Sequence, residues 1–276
     1  MNIRELDNNE ILSGYDEVSR YYPYVPPMTI WRAWEYAVYK HYELVEPVLD
    51  IGCGDGQFFR HIWPNITNAI GVDADSDTAK IAEQSGVYRQ VHATPAHQLP
   101  VPPNSCKSAF ANCSLEHMDY LPEVLGAINR SLCPGSPFLF SVVTDKFIEW
   151  SALPLLVEKV GEHQKAEELQ FEYVKYHHLV NPFPPEKWIE HLNKAKFKVI
   201  EYWPIIPEVS SRLFLFVDQL WHVPKANGKI GDSLLSYLEK LTSFPEQFRK
   251  VLSAILNMEA DRSICSGAVF WARKTK

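Results

Sequence analysis

Short apolar runs and amphipathic helical stretches alternate through the first half of this chain. Runs at 47–51, 69–73, 108–113 and 137–143 stand out, and a weaker one lies near 88–92. Apolar runs of this length, bounded by turn residues, read as strands buried on both faces. Between them, Phe58, Phe59 and Ile62 mark a short helix, and helical patterns cover about 78–84 and 121–132. The alternation predicts an α/β fold with a doubly wound parallel sheet. Residues 10–46 read as helical, split in two by the prolines at 23, 26 and 27, since proline breaks a helix interior. Two blocks interrupt the pattern. One, about 145–182, carries a solvated helix at 162–168 and the cluster Phe171, Tyr173, Tyr176, His177 and His178. The other, about 204–262, carries the run Leu213-Phe214-Leu215-Phe216-Val217, then Trp221 and the periodic Leu234, Leu235, Leu238 and Leu241, which predict packed helices.

The chemistry concentrates in Val48-Leu49-Asp50-Ile51-Gly52-Cys53-Gly54-Asp55-Gly56. A buried strand here runs into a turn whose alternating glycines let the backbone approach a ligand closely. Asp50 and Asp55 would repel a pyrophosphate, and Gln57 stands where a dinucleotide fingerprint has its third glycine. An adenosyl ligand with cationic ammonium and sulfonium groups, such as S-adenosyl-L-methionine, suits the same turn. A second strand, Ala69-Ile70-Gly71-Val72-Asp73, ends in an acid at the distance where βαβ units hold a ribose.

With those two segments, the chain resembles the class I S-adenosylmethionine-dependent methyltransferases, in particular their small-molecule, type 11-like branch. The likeness continues through Leu99-Pro100-Val101-Pro102-Pro103-Asn104-Ser105, Ser114-Leu115-Glu116-His117 and Ile128-Asn129-Arg130-Ser131-Leu132-Cys133-Pro134-Gly135, and spans about 45–145. It departs at Cys106-Lys107-Ser108, at Ser136, and at Thr94-Pro95-Ala96, where an acid often faces the adenine. The resemblance implies a Rossmann-like core of seven strands, the sixth at 197–203 and an antiparallel seventh at 267–272. The organisation expected is an N-terminal helical segment over the cofactor at 1–46, a core at 47–203 plus 263–276, and a helical cap at 204–262 toward the acceptor.

The cofactor residues follow. Gly52, Cys53, Gly54 and Gly56 are expected to line the methionine and ribose portion, with Asp50 near the ammonium. Asp73 is expected on the ribose, Ala74 at the adenine edge, and Thr94, Pro95 and Ala96 on the ring's other side. Asn112 and Cys113 are expected to present backbone to the methionine chain. Arg32 reads two ways, as the partner of the cofactor carboxylate or as a surface arginine paired with Glu35. Tyr15, Tyr21 and Tyr22 could close over the sulfonium or pack against the sheet. His117, His177 and His178 are weak candidates for a base, and Tyr22, Tyr176 and His178 for acceptor contacts. Aromatic residues of the insertions either hold a lipophilic acceptor or build the cap's own core, the commoner use of such residues.

The reaction implied is in-line displacement at a methyl carbon, giving S-adenosyl-L-homocysteine. Holding the acceptor atom about 3–3.5 Å from the methyl accounts for roughly 7–11 kcal/mol of the barrier. No special nucleophile is required.

Composition narrows the partner. Lys and Arg number 27 against 34 Asp and Glu, a net charge of −7 that does not favour nucleic acid. Asn112-Cys113-Ser114-Leu115 lacks the Asn/Asp-Pro-Pro-aromatic motif of base-modifying relatives, and Asn181-Pro182-Phe183 reads as a turn before a helix. No apolar stretch is long enough for stable membrane insertion, and the first residues lack a signal-peptide core. Five cysteines without a C-x-x-C pair argue against disulfides or zinc, so a cytoplasmic protein without a metal is expected. The leading expectation is therefore an enzyme methylating a small metabolite, plausibly in secondary metabolism. The alternatives are a catalytically silent binding or scaffold relative and, further off, a protein or RNA methyltransferase. Acceptor, methylated atom and oligomeric state stay open.

Overall fold

The computed structural model describes residues 1–275. Its strands are β1 Asn2–Ile3, β2 Val48–Ile51, β3 Ala69–Asp73, β4 Gln90–Ala93, β5 Ser108–Asn112, β6 Pro137–Val143, β7 Phe197–Pro207, β8 Pro224–Lys225, β9 Gly228–Lys229 and β10 Cys265–Lys274. Among the described residues, eight of them form one sheet in the order β1-β7-β10-β6-β5-β2-β3-β4, and β8 with β9 makes a small hairpin. Within the large sheet only β10 runs antiparallel to its neighbours. The alternation of side chains along each strand sorts the core into two clusters. Phe138, Phe140 and Val142 of β6 join one, and Leu139 and Val143 join the other.

Twelve helices are described: α1 Asn8–Val18, α2 Pro26–Tyr39, α3 Gln57–Ile62, α4 Ser76–Gln84, α5 Leu121–Ser131, α6 Lys146–Glu149, α7 Ala152–Lys159, α8 His163–Tyr176, α9 Pro185–Lys194, α10 Glu208–His222, α11 Ile230–Leu238 and α12 Phe244–Leu256. The break expected among the first prolines separates α1 from α2, and Pro26 and Pro27 open α2 where a missing N–H costs nothing. Asp7 caps α1 by accepting from the Asn9 and Glu10 N–H groups, which otherwise lack partners at a helix start.

Three elements differ from expectation. β7 extends four residues past 203, and β10 extends beyond 267–272 at both ends, because the two strands pair with each other along nearly their full lengths. The boundary expected at 204 thus falls inside β7. The sheet has an eighth strand instead of seven, since Asn2 and Ile3 pair with Glu201 and Tyr202 at its edge. Two residues are too few to show a period. No described helix is long and apolar enough to cross a membrane.

The strand order reverses between β2, which leads outward to β3 and β4, and β5, which leads to β6. In open α/β sheets the crevice beyond the carboxyl ends at such a reversal is where ligands bind. Helices α1 and α2 pack together at the N-terminal side, with α10 against α2 and α12 against α1. Gly14 makes the α1–α2 approach possible: a Cβ there would stand 2.3 Å from the Ala33 carbonyl oxygen. Alanine is the better helix former, by about 0.5–1 kcal/mol. Backbone overlap of this kind costs about 1–3 kcal/mol. Gly14→Ala is therefore expected to lower the urea midpoint of unfolding with an unchanged slope. An unchanged or higher midpoint would show that the two helices are not held this closely.

Candidate cofactor site

The turn after β2 stands at the strand-order reversal. Gly52, Gly54 and Gly56 all take positive φ, at 68°, 54° and 77°. A side chain is excluded at Gly52, where a Cβ would meet the Ser114 Cβ at 2.4 Å, and at Gly56, where it would meet the Tyr88 ring at 2.6 Å. The N–H groups of Gly52 and Cys53 both donate to the Val72 carbonyl, at 2.8 and 3.0 Å, which ties the turn to the end of β3. Asp73 completes the tie: its carboxylate accepts from the Gly54 N–H at 3.1 Å and the Asp75 N–H at 3.0 Å. Asp55 accepts from the Gln57 N–H at 2.9 Å, at the start of α3.

Two cavities meet at Gly52. One, of about 350 Å³, is bounded by Val72, Asp73 and Ala74 on one side and Thr94, Pro95 and Ala96 on another. Met118, Tyr120, His117 and His178 close it. The second, of about 260 Å³, runs along Asp50, Cys53, Gly54, Asp55 and Gly56. Tyr22, Met28, Arg32, Phe58, Phe110 and Asn112 form its remaining wall. Pockets for ligands of drug size span about 300–1,000 Å³, so the two together suffice for an extended adenosyl ligand.

Opposite charges face the second cavity. Asp50 is 2% exposed and accepts a hydrogen bond from the Tyr88 hydroxyl at 2.5 Å. Burial raises its carboxyl to about 7, the Tyr88 bond opposing that rise and the Asp73 charge adding to it. A carboxylate so placed is stabilised by a cation. Arg32 donates to Glu35 at 2.6 Å, with Glu35 fully buried and the arginine partly open to the cavity. Arg32 is thus paired with Glu35, as the second reading has it, but in the interior instead of at the surface, and it also lines the cavity. Glu35 also accepts from Trp31 at 3.0 Å, Ser141 at 2.6 Å and the Cys113 thiol at 3.0 Å.

The structure thus gathers most of the residues expected at the cofactor and redistributes the rest. Tyr15 lines neither cavity. It is buried between α1 and α12, and its hydroxyl donates to the Pro245 carbonyl at 2.8 Å. Tyr22 does line the second cavity, whereas Tyr21 is exposed and packs on His61. Asn112 reaches the cavity with its amide oxygen held by the Tyr39 hydroxyl at 2.8 Å. Cys113 lines neither cavity, because its side chain turns into the Glu35 network. The Cys53 thiol packs beneath the turn, where Gly71 leaves room for it.

His117 and His178 border the first cavity, with His117 Nδ1 3.3 Å from the His178 carbonyl oxygen. Burial holds the His117 imidazole below its usual range. Tyr176 is half exposed and meets Lys229, so it contacts neither cavity. Phe147, Tyr173 and Phe214 are buried together with Trp31, in a core shared by the two blocks that interrupt the strand–helix alternation. His177 instead meets Asp218 and His222, whose donor atoms and its own lie within 4.8 Å of one another. Sequence reasoning missed that group because His177 stands 41 positions before Asp218, although Asp218 and His222 have the i,i+4 spacing of one helical face. Tyr88, Glu35, Met28, Phe58 and Phe110 were also missed as site residues. Phe58 carries only the signal of a short helix, and Tyr88 reads as part of a strand that begins two residues later.

Comparison with known proteins bears on the family and the fold. The model of the methyltransferase domain family matches residues 31–202. A curated relative, the malonyl-acyl-carrier-protein O-methyltransferase of Pectobacterium atrosepticum, is 26% identical over 98 residues, 36% of this chain and 39% of that protein. The chain therefore matches well under half the length of that relative. Among solved structures, a methyltransferase of Thermotoga maritima described as a possible histamine N-methyltransferase superposes with a TM-score of 0.55 at 18% identity, covering 96% of this chain and 100% of that one. The phosphoethanolamine N-methyltransferase 2 of Haemonchus contortus, in complex with S-adenosyl-L-methionine, gives 0.54 at 18% identity over 96% and 57%. The cyclase SpnF gives 0.53 at 17% identity over 89% and 82%. At such identities these likenesses speak for the fold alone. With the family model covering more than half of its length, the chain belongs to the methyltransferase domain family.

Proposed function

We propose that this enzyme methylates a small apolar or aromatic metabolite, leaving S-adenosyl-L-homocysteine. The observation that carries the reading is the second cavity, whose anionic floor at Asp50 lies beneath apolar Tyr22, Met28 and Phe58. An acceptor there is desolvated by rings, and the acidic chain offers no attraction to nucleic acid. The cofactor supplies the electrophilic methyl. In this reading Asp73 accepts from the ribose hydroxyls, and Ala74 with Thr94, Pro95 and Ala96 encloses the adenine. Asp50 takes the ammonium and Arg32 the carboxylate, each with its opposite charge. Gly52 lets the ligand cross from one cavity to the other. Catalysis then rests on positioning and exclusion of water, with no base required of His117, His177 or His178. The cytoplasm is the proposed setting.

The test is incubation with labelled S-adenosyl-L-methionine and a fractionated metabolite extract, with mass spectrometry finding products heavier by one CH2. Because a related fold also occurs in a protein described as a cyclase, binding and transfer are to be read separately. Hydrogen bonds to a charged group contribute about 1.5–3 kcal/mol. Asp73→Ala is accordingly expected to weaken binding at least about tenfold and to lose the labelled products together with it. Tight cofactor binding with no transfer to any fraction would favour the silent relative.

Arg32 separates along the ligand. Arg32→Gln is expected to cost about 3–5 kcal/mol of stability, since it leaves Glu35 buried without its cation. It is also expected to weaken S-adenosyl-L-homocysteine while sparing methylthioadenosine, which has no carboxylate. Equal losses for both ligands would make the arginine structural only.

Asp50 sets the pH dependence. Its carboxyl stands at about 7 in the free protein, and a bound cation lowers it. Binding then expels a proton below pH 7, and affinity falls toward tenfold per pH unit as acidity rises further. Calorimetry in buffers of different ionisation enthalpy reads that proton, and Asp50→Asn should abolish the dependence. Glu116, raised to about 8 by burial, titrates nearby but borders neither cavity. Affinity independent of pH between 6 and 8 would remove Asp50 from the ammonium.

A further inference from the structure

We propose that His177, Asp218 and His222 form a binding site for one divalent transition-metal ion, zinc being the ion the donors suit best. His177 Nε2 lies 3.1 Å from Asp218 Oδ2, and His222 Nδ1 lies 3.4 Å from Asp218 Oδ1. Ligands at about 2.0–2.2 Å around a tetrahedral zinc ion stand about 3.3–3.5 Å apart. The His222–Asp218 separation falls in that range and the His177–Asp218 separation just below it, and one donor atom from each of the three residues lies within 4.8 Å of the other two, close enough to share an ion. Two imidazoles and one carboxylate favour zinc and its first-row neighbours over magnesium or calcium, which prefer oxygen. Three protein ligands leave a coordination position for water or another donor.

Charge and support agree with this donor set. Asp218 is buried, and among the described residues its ion-pair partners are the two histidines, with no lysine or arginine. Lys229 donates to the Tyr176 hydroxyl instead, and the Tyr176 ring packs on His222. Tyr173, buried, donates its hydroxyl to Asp218 Oδ2 at 2.7 Å, the type of outer contact that orients a metal-binding carboxylate. Both histidines are about one-fifth exposed, so an ion can enter from solvent. Each imidazole nitrogen facing Asp218 carries a proton when it donates to that residue. With the ion bound, that proton resides on the opposite ring nitrogen and a lone pair faces the metal.

The site joins the end of α8 to α10, clipping together the two blocks that interrupt the strand–helix alternation. It is separate from the cofactor cavities. Phe147 connects the two regions, packing against Trp31 on one side and against Tyr173 and His177 on the other. Bound ion therefore holds the wall that Trp31 shares with α6 and α10.

The test is uptake of the metal alone by the full chain after chelator treatment, independent of any methyl transfer. Cobalt(II) is titrated first, for its visible absorption, and then displaced by zinc. One equivalent is expected to bind, and zinc should raise the melting temperature. His177→Gln and His222→Gln, at part-exposed positions and less prone to unfold the chain than a change at Asp218, should each weaken binding at least about tenfold, since even the loss of outer-shell partners costs 10–100-fold. Both should also abolish the rise in melting temperature. His41→Gln, at a histidine that pairs with Glu10 instead, should leave uptake unchanged. No uptake, or uptake insensitive to both ligand variants, would overturn the proposal.

Discussion

A carboxylate sealed at the end of a buried strand, without a lysine or arginine bonded to it, is the constraint on which this site depends. Asp50 is held by one phenol, that of Tyr88, and faces a cavity instead of an ion pair. Charge buried in this way is unfavourable by several kcal/mol, about what a fully effective cation must offset. The glycine turn cannot supply that cation, because its own charged residue is the acid Asp55, and Asp73 at the end of β3 adds further negative charge. A ligand with fixed positive charge is the chemical complement. On the proposed function an ammonium or sulfonium would meet that need, where a phosphate would be repelled.

Arg32 and Glu35 show how the opposite sign is kept within reach. Glu35 lies fully buried on α2 and collects hydrogen bonds from Trp31, Arg32, Cys113 and Ser141. Those partners lie on α2, just after β5 and on β6, so one carboxylate fastens the N-terminal helix over the carboxyl ends of the sheet. The same fastening orients the arginine toward the cavity that Asp50 floors. The arrangement suits a zwitterion, with its anion at Arg32 and its cation at Asp50. Preorganised charge of this kind needs no rearrangement when the ligand enters.

The elements that read clearly from sequence are those whose signal is local. β2, β3 and β6 are continuous apolar runs, and Gly52 with Asp73 identifies the cofactor because spacing alone brings them together. What did not read is set by pairing at a distance. The true length of β7 and β10 comes from their mutual ladder, and β1 exists only because an edge lay open to Asn2 and Ile3. Tyr15 was a reasonable lid from its position in an aromatic-rich segment, yet α12 arrives from the far end of the chain and occupies its hydroxyl. Tyr88 shows the converse. It lies outside any motif, and its role follows only once β4 starts late enough to leave the ring beneath the turn.

The insertions then take on a different meaning from the one their composition suggests. Aromatic residues in a cap invite an acceptor-binding reading, but Phe147, Tyr173 and Phe214 are consumed in packing against Trp31 and one another. A buried ring cannot also contact substrate, so under the proposed function the acceptor would meet Tyr22, Met28 and Phe58 at the cavity instead. The cap acts through position. Trp31 hydrogen-bonds to Glu35 while its ring rests on Phe147 and Phe214, so a change in how α6 and α10 pack is transmitted to the network that orients Arg32. Under the proposed function, a change in these blocks would reshape the acceptor space beside Arg32 without touching the glycine turn.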